Sequence, residues 1–240
     1  MATDNYEAAI TLIDEAHALD PNISIINGES KPYELHYAQK MTHYLSLRAP
    51  NASPILKVAI RAQHFRRWEV PRSSYPMTKP GYLNWRSFLK KRQGDLASAI
   101  CIGCNFTSEE AEEVARLIRK EDLKKNEETQ ILEDVACLVF LDDQFEAFEK
   151  GHDEEKIISI LRKTWGKMSE EGHCLALQIP MSDTIYLVTG IWKAHNQLGS
   201  KAGVELLQAI AKTYAAEIAA LEMMLRRLLS LTLRLCYHSS

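Results

Sequence analysis

Positive charge is concentrated in one segment of an otherwise acidic chain. Residues 61–92 include nine basic residues and a single acidic one, Glu69, a local charge of +8 against a net charge of −3 for all 240 residues. Six aromatic residues are interleaved with them: Phe65, Trp68, Tyr75, Tyr82, Trp85 and Phe88. Arginine binds phosphate through a planar fork of N–H groups and stacks on aromatic rings. The segment therefore predicts a site for a phosphorylated or nucleotide-like ligand.

Eight residues are candidates for ligand binding, six of them in this segment and two on later helices. They are Arg61, Arg66, Arg67, Arg72, Trp68, Arg86, Lys120 and Lys163. We predict that four of the arginines, at 66, 67, 72 and 86, clamp a phosphate. The alternative is a solvated basic helix face whose aromatic residues pack a proline-rich loop onto the core. The sequence leaves both interpretations open.

A second group of residues combines imidazole and carboxylate. His36, His64 and Asp134 fall on three different predicted helices. Nitrogen and oxygen ligands that converge from separate helices can bind a divalent metal, which lowers the pKa of a bound water. We predict His64 and Asp134 as catalytic residues and all three as metal ligands, with Mn, Mg, Ni or Co as the metal. A hydrogen-bonded core histidine is the alternative for each imidazole.

The elements that must position these residues are helical. Apolar residues recur at intervals of three and four along most of the chain, which predicts an all-α fold. Ser53 with Pro54 predicts the start of one helix, and Thr107 with Glu110 predicts a capping box at the start of another. Helices are predicted over about 4–19, 31–47, 54–69, 82–100, 108–120, 128–150 and 153–168. Three prolines and Gly81 predict a structured loop over 71–81.

The character of the chain changes after Pro180. A strand-like segment is followed by a long leucine-rich amphipathic helix with Arg226, Arg227 and Arg234 on its polar side. We predict that this C-terminal helix packs on a core or docks a partner, and that it can mediate an oligomer. The predicted organisation is an N-terminal helix and loop over 1–29, a helical domain over 30–178 and a lineage-specific helical extension over 179–240.

Composition excludes several classes of protein. Five scattered cysteines, an odd number, are typical of a reducing compartment. The acidic N-terminus has no signal-peptide pattern, and no uncharged apolar run approaches the roughly 20 residues of a membrane span. We therefore predict a cytoplasmic protein without a membrane partner. Nucleic acid is disfavoured as a partner because the chain as a whole repels polyanions.

Two segments resemble the HD-type helical phosphohydrolases. The phrases LKVAIRAQHFRRW and ILEDVACLVFL, with the histidine of an earlier helix, are similar to that family's order of His, His-Asp and Asp. The resemblance implies an HD-like helical bundle and a metal-assisted phosphohydrolase. The chain departs from the family because Phe65 follows His64, and because Asp134 lies one turn before Cys137, which stands at the position of the family's last aspartate.

A closer resemblance covers residues 30–178. The phrases KPYELHYAQKMTHYL, AQHFRRWEVPR and LEDVACLVFL resemble an uncharacterised family, domain-of-unknown-function family 4202, found in bacteria, fungi and plants. Some members are labelled glutamyl-tRNA synthetase, but the chain lacks that enzyme's nucleotide-binding motifs. Family members often have an aliphatic residue in place of His36. This resemblance implies no established activity.

These observations predict a hydrolase that acts on a nucleotide or another phosphorylated metabolite. The alternative is a non-catalytic binding module for a phosphorylated ligand on a degenerate HD scaffold, with RNA as a less favoured ligand. A third interpretation is an assembly role for the C-terminal helix. The broken His-Asp pair at His64 favours the binding module over the enzyme.

Overall fold

A computed structural model describes residues 2–26 and 28–179 of the chain. Within this part the α-helices are α1 (Ala2–His17), α2 (Tyr33–Arg48), α3 (Pro54–Arg61), α4 (Lys79–Gly103), α5 (Ser108–Arg119), α6 (Glu127–Val139), α7 (Phe145–Lys150), α8 (Glu154–Trp165) and α9 (Glu170–Ala176). Strands β1 (Ile23–Ile26) and β2 (Glu29–Pro32) form a small antiparallel sheet. The predicted all-α class is confirmed. The predicted C-terminal helix lies outside the described residues.

Local sequence signals set several helix starts. The Ser53 hydroxyl accepts from the N–H of Leu56 at 3.0 Å, and Pro54 occupies the first turn of α3. The Thr107 hydroxyl accepts from the N–H of Glu110 at 3.2 Å, while the Glu110 carboxylate accepts from the N–H of Thr107 at 2.9 Å. Both predicted caps are confirmed. They fix the N-terminal ends of α3 and α5.

The core is built around α6, whose apolar side chains are buried against α2 and neighbouring helices. Leu132, Val135 and Leu138 are fully buried, and burial of apolar surface is the main favourable contribution to folding. Helices α4 and α5 pack closely beside this core. A Cβ atom at Gly94 would lie 3.1 Å from the carbonyl oxygen of Ala115, so a larger residue there would push the two helices apart. Among the described helices, none has the length and apolarity that crossing a bilayer requires.

The hairpin of β1 and β2 was not predicted. The two strands pair from Ile23 opposite Pro32 to Ile26 opposite Glu29. The predicted boundary between residues 29 and 30 falls inside this hairpin. Helix α1 is also joined to the main body, because both N–H groups of the Arg61 fork donate to the Asp14 carboxylate at 2.6 and 2.7 Å.

Helix α3 ends at Arg61, so the predicted helix to residue 69 is wrong. His64 and Arg66 have φ angles of 62° and 50°, which an α-helix cannot contain. The chain continues as a turn and a short 3₁₀ helix, Arg67–Glu69. Sequence periodicity misses this change because the apolar spacing persists through Phe65.

Three later segments of the chain also differ from the sequence predictions. Helix α4 begins at Lys79 rather than near residue 82, because Thr78 caps it and Pro80 is tolerated in a first helical turn. The predicted helix over 128–150 is interrupted by a π-helical segment, Phe140–Gln144. Helix α9 was not predicted. It is short, and Ser169 caps it by accepting from the N–H of Gly172 at 3.1 Å.

Candidate functional site

A cavity of about 370 Å³ lies among α2, α4, α5, α6, α8 and the turn after α3. Its volume falls in the range of small-molecule sites, roughly 300–1,000 Å³. Five lining residues are basic and one, Glu133, is acidic. The basic residues are Arg67, Arg86, Lys90, Lys120 and Lys167. The cavity therefore carries an excess of four positive charges inside a chain of net charge −3.

Helix α4 supplies one wall of the cavity. Tyr82, Arg86, Lys90 and Gln93 are spaced by three or four residues and so share one face of the helix. Neither Arg86 nor Lys90 forms a hydrogen bond or ion pair with another described residue. Burial lowers the pKa of Lys90, and repulsion from Lys120 and Arg86 lowers it further. This wall therefore holds two positive charges that form no ion pair with another described residue, although Glu133 attracts the Lys90 ammonium.

The turn after α3 supplies His64 and Arg67. An N–H group of Arg67 donates to Nε2 of His64 at 2.7 Å, and the guanidinium carbon lies 4.8 Å from the centre of the Trp85 ring. The His64 ring stacks on Tyr37 with centroids 4.1 Å apart. Burial, together with the positive charges of Arg67 and Arg86, holds the pKa of His64 well below its usual range. His64 is therefore neutral at pH 7, and its Nε2 lone pair is engaged by Arg67.

Backbone geometry at the cavity is unusual at two positions. His64 and Lys120 both line the cavity and both have positive φ angles, 62° and 59°. A left-handed conformation of a residue other than glycine costs on the order of 1–3 kcal/mol and tends to occur at functional sites. Lys120 is the C-cap residue of α5, and the left-handed conformation is common at that position. The strain at His64 has no such helix-capping explanation.

Glu133, the acidic residue in the lining, forms ion pairs with two of the lysines. Its carboxylate contacts the ammonium of Lys120 and lies 3.3 Å from that of Lys167. Burial opposes ionisation of Glu133, but the two lysines outweigh burial and lower the pKa of Glu133 to about 2. Glu133 is therefore ionised and fixes both ammonium groups in place. It neutralises only part of the cavity's charge.

Three of the eight predicted ligand-binding residues line the cavity: Arg67, Arg86 and Lys120. Three other predicted arginines are not part of this lining and contact other groups of the protein. Arg61 binds Asp14, and Arg66 binds Glu69 at 3.3 Å. Arg72 donates to backbone carbonyls of residues 75, 76 and 78 and so holds the proline-rich loop closed.

Trp68 and Lys163 also lie away from the cavity lining. The backbone N–H of Trp68 donates to Glu34 at 3.0 Å, which ties the 3₁₀ helix to α2. Lys163 lines a separate groove on α8 with Glu155 and Arg162. Both were predicted as ligand-binding residues from charge or aromatic character alone, which does not report the direction of a side chain.

The structure does not bring the predicted metal ligands together. Nε2 of His36 lies 2.8 Å from the Asp143 carboxylate. Asp134 is fully buried, accepts from Nε of Arg48 at 2.9 Å and is absent from the cavity lining. Residues 2–26 and 28–179 contain no group of three or more His, Cys, Asp or Glu side chains placed to hold a metal ion. The donors at His36, His64 and Asp134 therefore do not fit a divalent metal, because each has a different protein partner.

Several residues that line the cavity are not among the predicted site residues. They are Tyr37, Gln63, Lys90, Gln93, Glu133, Gln144 and Lys167. One signal was available: Lys90 follows Arg86 by four residues and Gln93 follows it by seven, so all three belong to one helix face. No comparable signal exists for the residues that other helices contribute, because their convergence depends on the packing of distant segments.

Comparison with known proteins gives a family but no activity. No curated protein and no solved structure is significantly similar to the chain. One family model, described as Domain of unknown function (DUF4202), matches residues 7–188, which include every residue that lines the cavity. The match spans more than half of the 240 residues. The chain therefore belongs to this family, Domain of unknown function (DUF4202).

Proposed function

We propose that the chain binds a small phosphorylated molecule in this cavity. The observation that carries the proposal is the excess of four positive charges among the lining residues, two of which, Arg86 and Lys90, form no ion pair with another described residue. Positive groups that are partly buried close together repel one another and are costly without neutralisation. A phosphate dianion would supply the missing negative charge and gain charge-assisted hydrogen bonds.

The arginines and lysines would make different contributions to binding. Arg86 offers a planar fork to two phosphate oxygens, whereas Lys90 acts as a point charge. Arg67 is held in place by the Trp85 ring and by His64, and Lys120 is held by Glu133. Groups that are fixed before the ligand arrives lose less conformational entropy on binding. Much of the site is therefore organised in advance for an anion.

A matched pair of lysine variants tests the binding proposal. Lys90 faces the cavity, while its neighbour Lys91 is exposed and pairs with Asp95 at 2.7 Å. We expect isothermal titration calorimetry with pyrophosphate to detect binding, and Lys90→Ala to weaken it about 10-fold or more, since a charge-assisted hydrogen bond contributes roughly 1.5–3 kcal/mol. Lys91→Ala should leave the affinity unchanged. Equal effects of the two substitutions, or no binding to the unsubstituted protein, would refute the proposal.

Phosphoester hydrolysis is a second candidate, favoured by the neutral imidazole of His64. A neutral imidazole can take a proton from an attacking water, and the surrounding cations would stabilise negative charge on the transferred phosphoryl group. In the ligand-free geometry Arg67 donates to Nε2 of His64. The ligand phosphate would have to draw Arg67 away to free this lone pair. Binding without chemistry needs no such rearrangement and is the function we favour.

A panel of phosphomonoesters separates the two candidates. If the protein is a hydrolase, it releases inorganic phosphate from at least one ester, and His64→Gln abolishes the release while pyrophosphate still binds. If binding is the function, no ester is hydrolysed although calorimetry detects the ligand. The pH dependence of the rate provides a further check. With His64 as the general base, the hydrolysis rate would fall as the pH decreases and His64 becomes protonated.

A further inference from the structure

Gln93 has a buried amide without a hydrogen-bond partner. Its residue exposure is 6%, and Nε2 has no acceptor among the described residues. Buried amide N–H groups nearly always have an acceptor, so an unsatisfied one requires an explanation. Gln93 lines the cavity, seven residues after Arg86 on the same face of α4. A ligand oxygen in the cavity would satisfy this donor.

Two further glutamines line the cavity with free acceptors. Nε2 of Gln63 donates to the carbonyl of Ala59 at 3.3 Å, and Nε2 of Gln144 donates to the Tyr33 hydroxyl at 2.8 Å. One N–H of each amide is therefore used within the protein, and neither amide oxygen accepts a hydrogen bond from another described residue. Together the three glutamines provide neutral hydrogen-bonding groups in a cavity that is also lined by arginines and lysines. A bare phosphate, which is mainly an acceptor, does not need the two amide oxygens.

The position of Gln144 depends on the π-helical segment Phe140–Gln144. Tyr33, which accepts from Gln144, itself donates to the Asp143 carboxylate at 2.9 Å, and His36 lies 2.8 Å from the same carboxylate. Segments of π-helix often occur at functional sites, where the extra residue redirects a side chain. His36, predicted from sequence as a metal ligand, thus supports the segment that presents Gln144 to the cavity.

We infer that the ligand is a phosphorylated sugar or polyol, whose hydroxyl groups are bound by Gln93, Gln63 and Gln144. This inference rests on the proposed function, since the phosphate is held by the cationic residues. A hydroxyl group both donates and accepts, which matches the unsatisfied amide donor of Gln93 and the amide oxygens of Gln63 and Gln144. The cavity volume of about 370 Å³ is near the lower end of the range for small-molecule sites. Two of the aromatic rings in its lining already stack on histidines, Tyr37 on His64 and Phe148 on His152, which leaves less ring surface for a nucleobase.

The test compares three probes by isothermal titration calorimetry: inorganic phosphate, a hexose 6-phosphate and adenosine monophosphate. We expect the hexose 6-phosphate to bind at least about 10-fold more tightly than inorganic phosphate, the change that one or two good hydrogen bonds produce. Gln93→Leu should remove most of this difference and leave the affinity for inorganic phosphate unchanged. Gln39→Leu, at an exposed glutamine on α2, is the matched control.

Each outcome of the experiment bears on the inference. Equal affinity for the hexose 6-phosphate and inorganic phosphate, or equal weakening of both by Gln93→Leu, overturns it while the proposed function stands. Tighter binding of adenosine monophosphate than of the hexose ester also overturns it, in favour of a nucleotide. Absence of binding by all three probes and by pyrophosphate overturns both. Gln93→Leu removes an unsatisfied buried amide, so the variant protein should melt at the same temperature as the parent protein or higher. A thermal melt therefore shows that any loss of binding is not caused by unfolding.

Discussion

His64 is placed by its backbone as well as by its ring. Its φ angle of 62° lies outside the α-helical region. Its ring lies between Tyr37, at a centroid distance of 4.1 Å, and the guanidinium of Arg67. The sequence identified His64 as a site residue, and the structure does place it in the cavity. Its neighbours are Arg67 and Tyr37 rather than the predicted His36 and Asp134, because spacing along predicted helices could not reveal that the helix stops before it.

The protonation of His64 should respond to an anion. Its pKa is lowered in the folded protein, so the stability that this residue contributes is fully present above its ordinary pKa of about 6.5 and is lost as the pH falls below it. In proton NMR we expect its ring resonance not to titrate near pH 6.5 in the free protein. Added pyrophosphate should raise the His64 pKa, because it neutralises the nearby arginines.

His64→Gln identifies the resonance that belongs to this residue. The other histidines of the described residues, at 17, 36, 43, 152 and 173, provide internal references, because none of these five lines the cavity. A His64 ring that titrates near pH 6.5 and does not respond to pyrophosphate would contradict both the burial of the imidazole and the location of the anion.

The arginines show how far residue type alone can predict a site. Part of the positive charge of 61–92 faces the cavity, since Arg67, Arg86 and Lys90 line it. Arg61 and Arg72 carry the same charge in the same segment, yet one binds Asp14 and the other binds backbone carbonyls. The partner Asp14 is 47 residues away along the chain. Local sequence reports which groups are charged, whereas distant packing decides which charges remain free.

At the scale of elements, the contact between the proline-rich loop and α4 depends on Gly81. A Cβ atom at this position would lie 2.1 Å from the carbonyl oxygen of Pro76, which is backbone and cannot rotate away. We expect Gly81→Ala to lower the free energy of unfolding by roughly 1–3 kcal/mol or more, as overpacking does. The midpoint of urea denaturation measures the change.

Gly103 in the same helix is the matched control for Gly81. A Cβ atom at Gly103 would meet no atom within 4 Å. Gly103→Ala should leave stability unchanged or raise it by up to about 1 kcal/mol, because alanine has the higher helix propensity. A Gly81→Ala protein as stable as the Gly103→Ala protein would mean that the loop does not close on α4 in solution.

Asp134 connects α6 to α2 and α9. Its carboxylate accepts from Arg48 at 2.9 Å and from the Ser169 hydroxyl at 2.6 Å, and a Cβ atom at Gly172 would lie 2.8 Å from its Cγ. We expect Asp134→Asn to reduce the free energy of unfolding by about 3–5 kcal/mol, since it leaves a half-buried arginine without its buried partner. Thermal melting measures this loss.

Two comparisons show whether Asp134 has a structural role alone. Glu171 also faces Arg48, at 3.5 Å, but is exposed, so Glu171→Gln should change stability by less than about 1 kcal/mol. The folded Asp134→Asn protein, measured well below its melting temperature, should bind pyrophosphate with the affinity of the parent protein. A large loss of affinity at unchanged stability would restore the prediction that Asp134 belongs to the ligand site.

Element boundaries were predictable where a local signal sets them. The caps at Ser53 and Thr107 were predicted because a hydroxyl side chain satisfies free N–H groups at a helix start. The hairpin was missed although Asn27-Gly28, a frequent pair in tight hairpin turns, separates its strands, whereas the π-helical segment Phe140–Gln144 leaves no such signal. The turn at His64 was missed because a non-glycine residue with positive φ is uncommon. That turn and the residue after it nevertheless place Gln63, His64 and Arg67 in the cavity lining.

At the scale of the whole molecule, the net charge of the chain and the charge of the cavity lining have opposite signs. The chain has a net charge of −3, while the cavity lining has five basic residues against one acidic residue. Such a distribution attracts a ligand small enough to enter the cavity and repels a long polyanion that must lie along the surface. Family membership and helical class agree with the sequence predictions, but neither of them reveals this distribution. It follows from which charges the fold leaves without partners.

This distribution predicts that binding depends on the size of the anion. We expect pyrophosphate to bind in calorimetry at 150 mM salt, whereas a fluorescent single-stranded RNA of about 20 nucleotides should show no anisotropy change, because nucleic-acid affinity requires many phosphate contacts and falls steeply with salt. Lys90→Ala should weaken pyrophosphate binding and leave the RNA result unchanged. If RNA binds more tightly than pyrophosphate and Lys90→Ala has no effect on it, the basic residues outside the cavity form the binding surface. The enclosed position of Arg86 and Lys90 would then have no role in recognition, and the charge excess of the cavity would need another explanation.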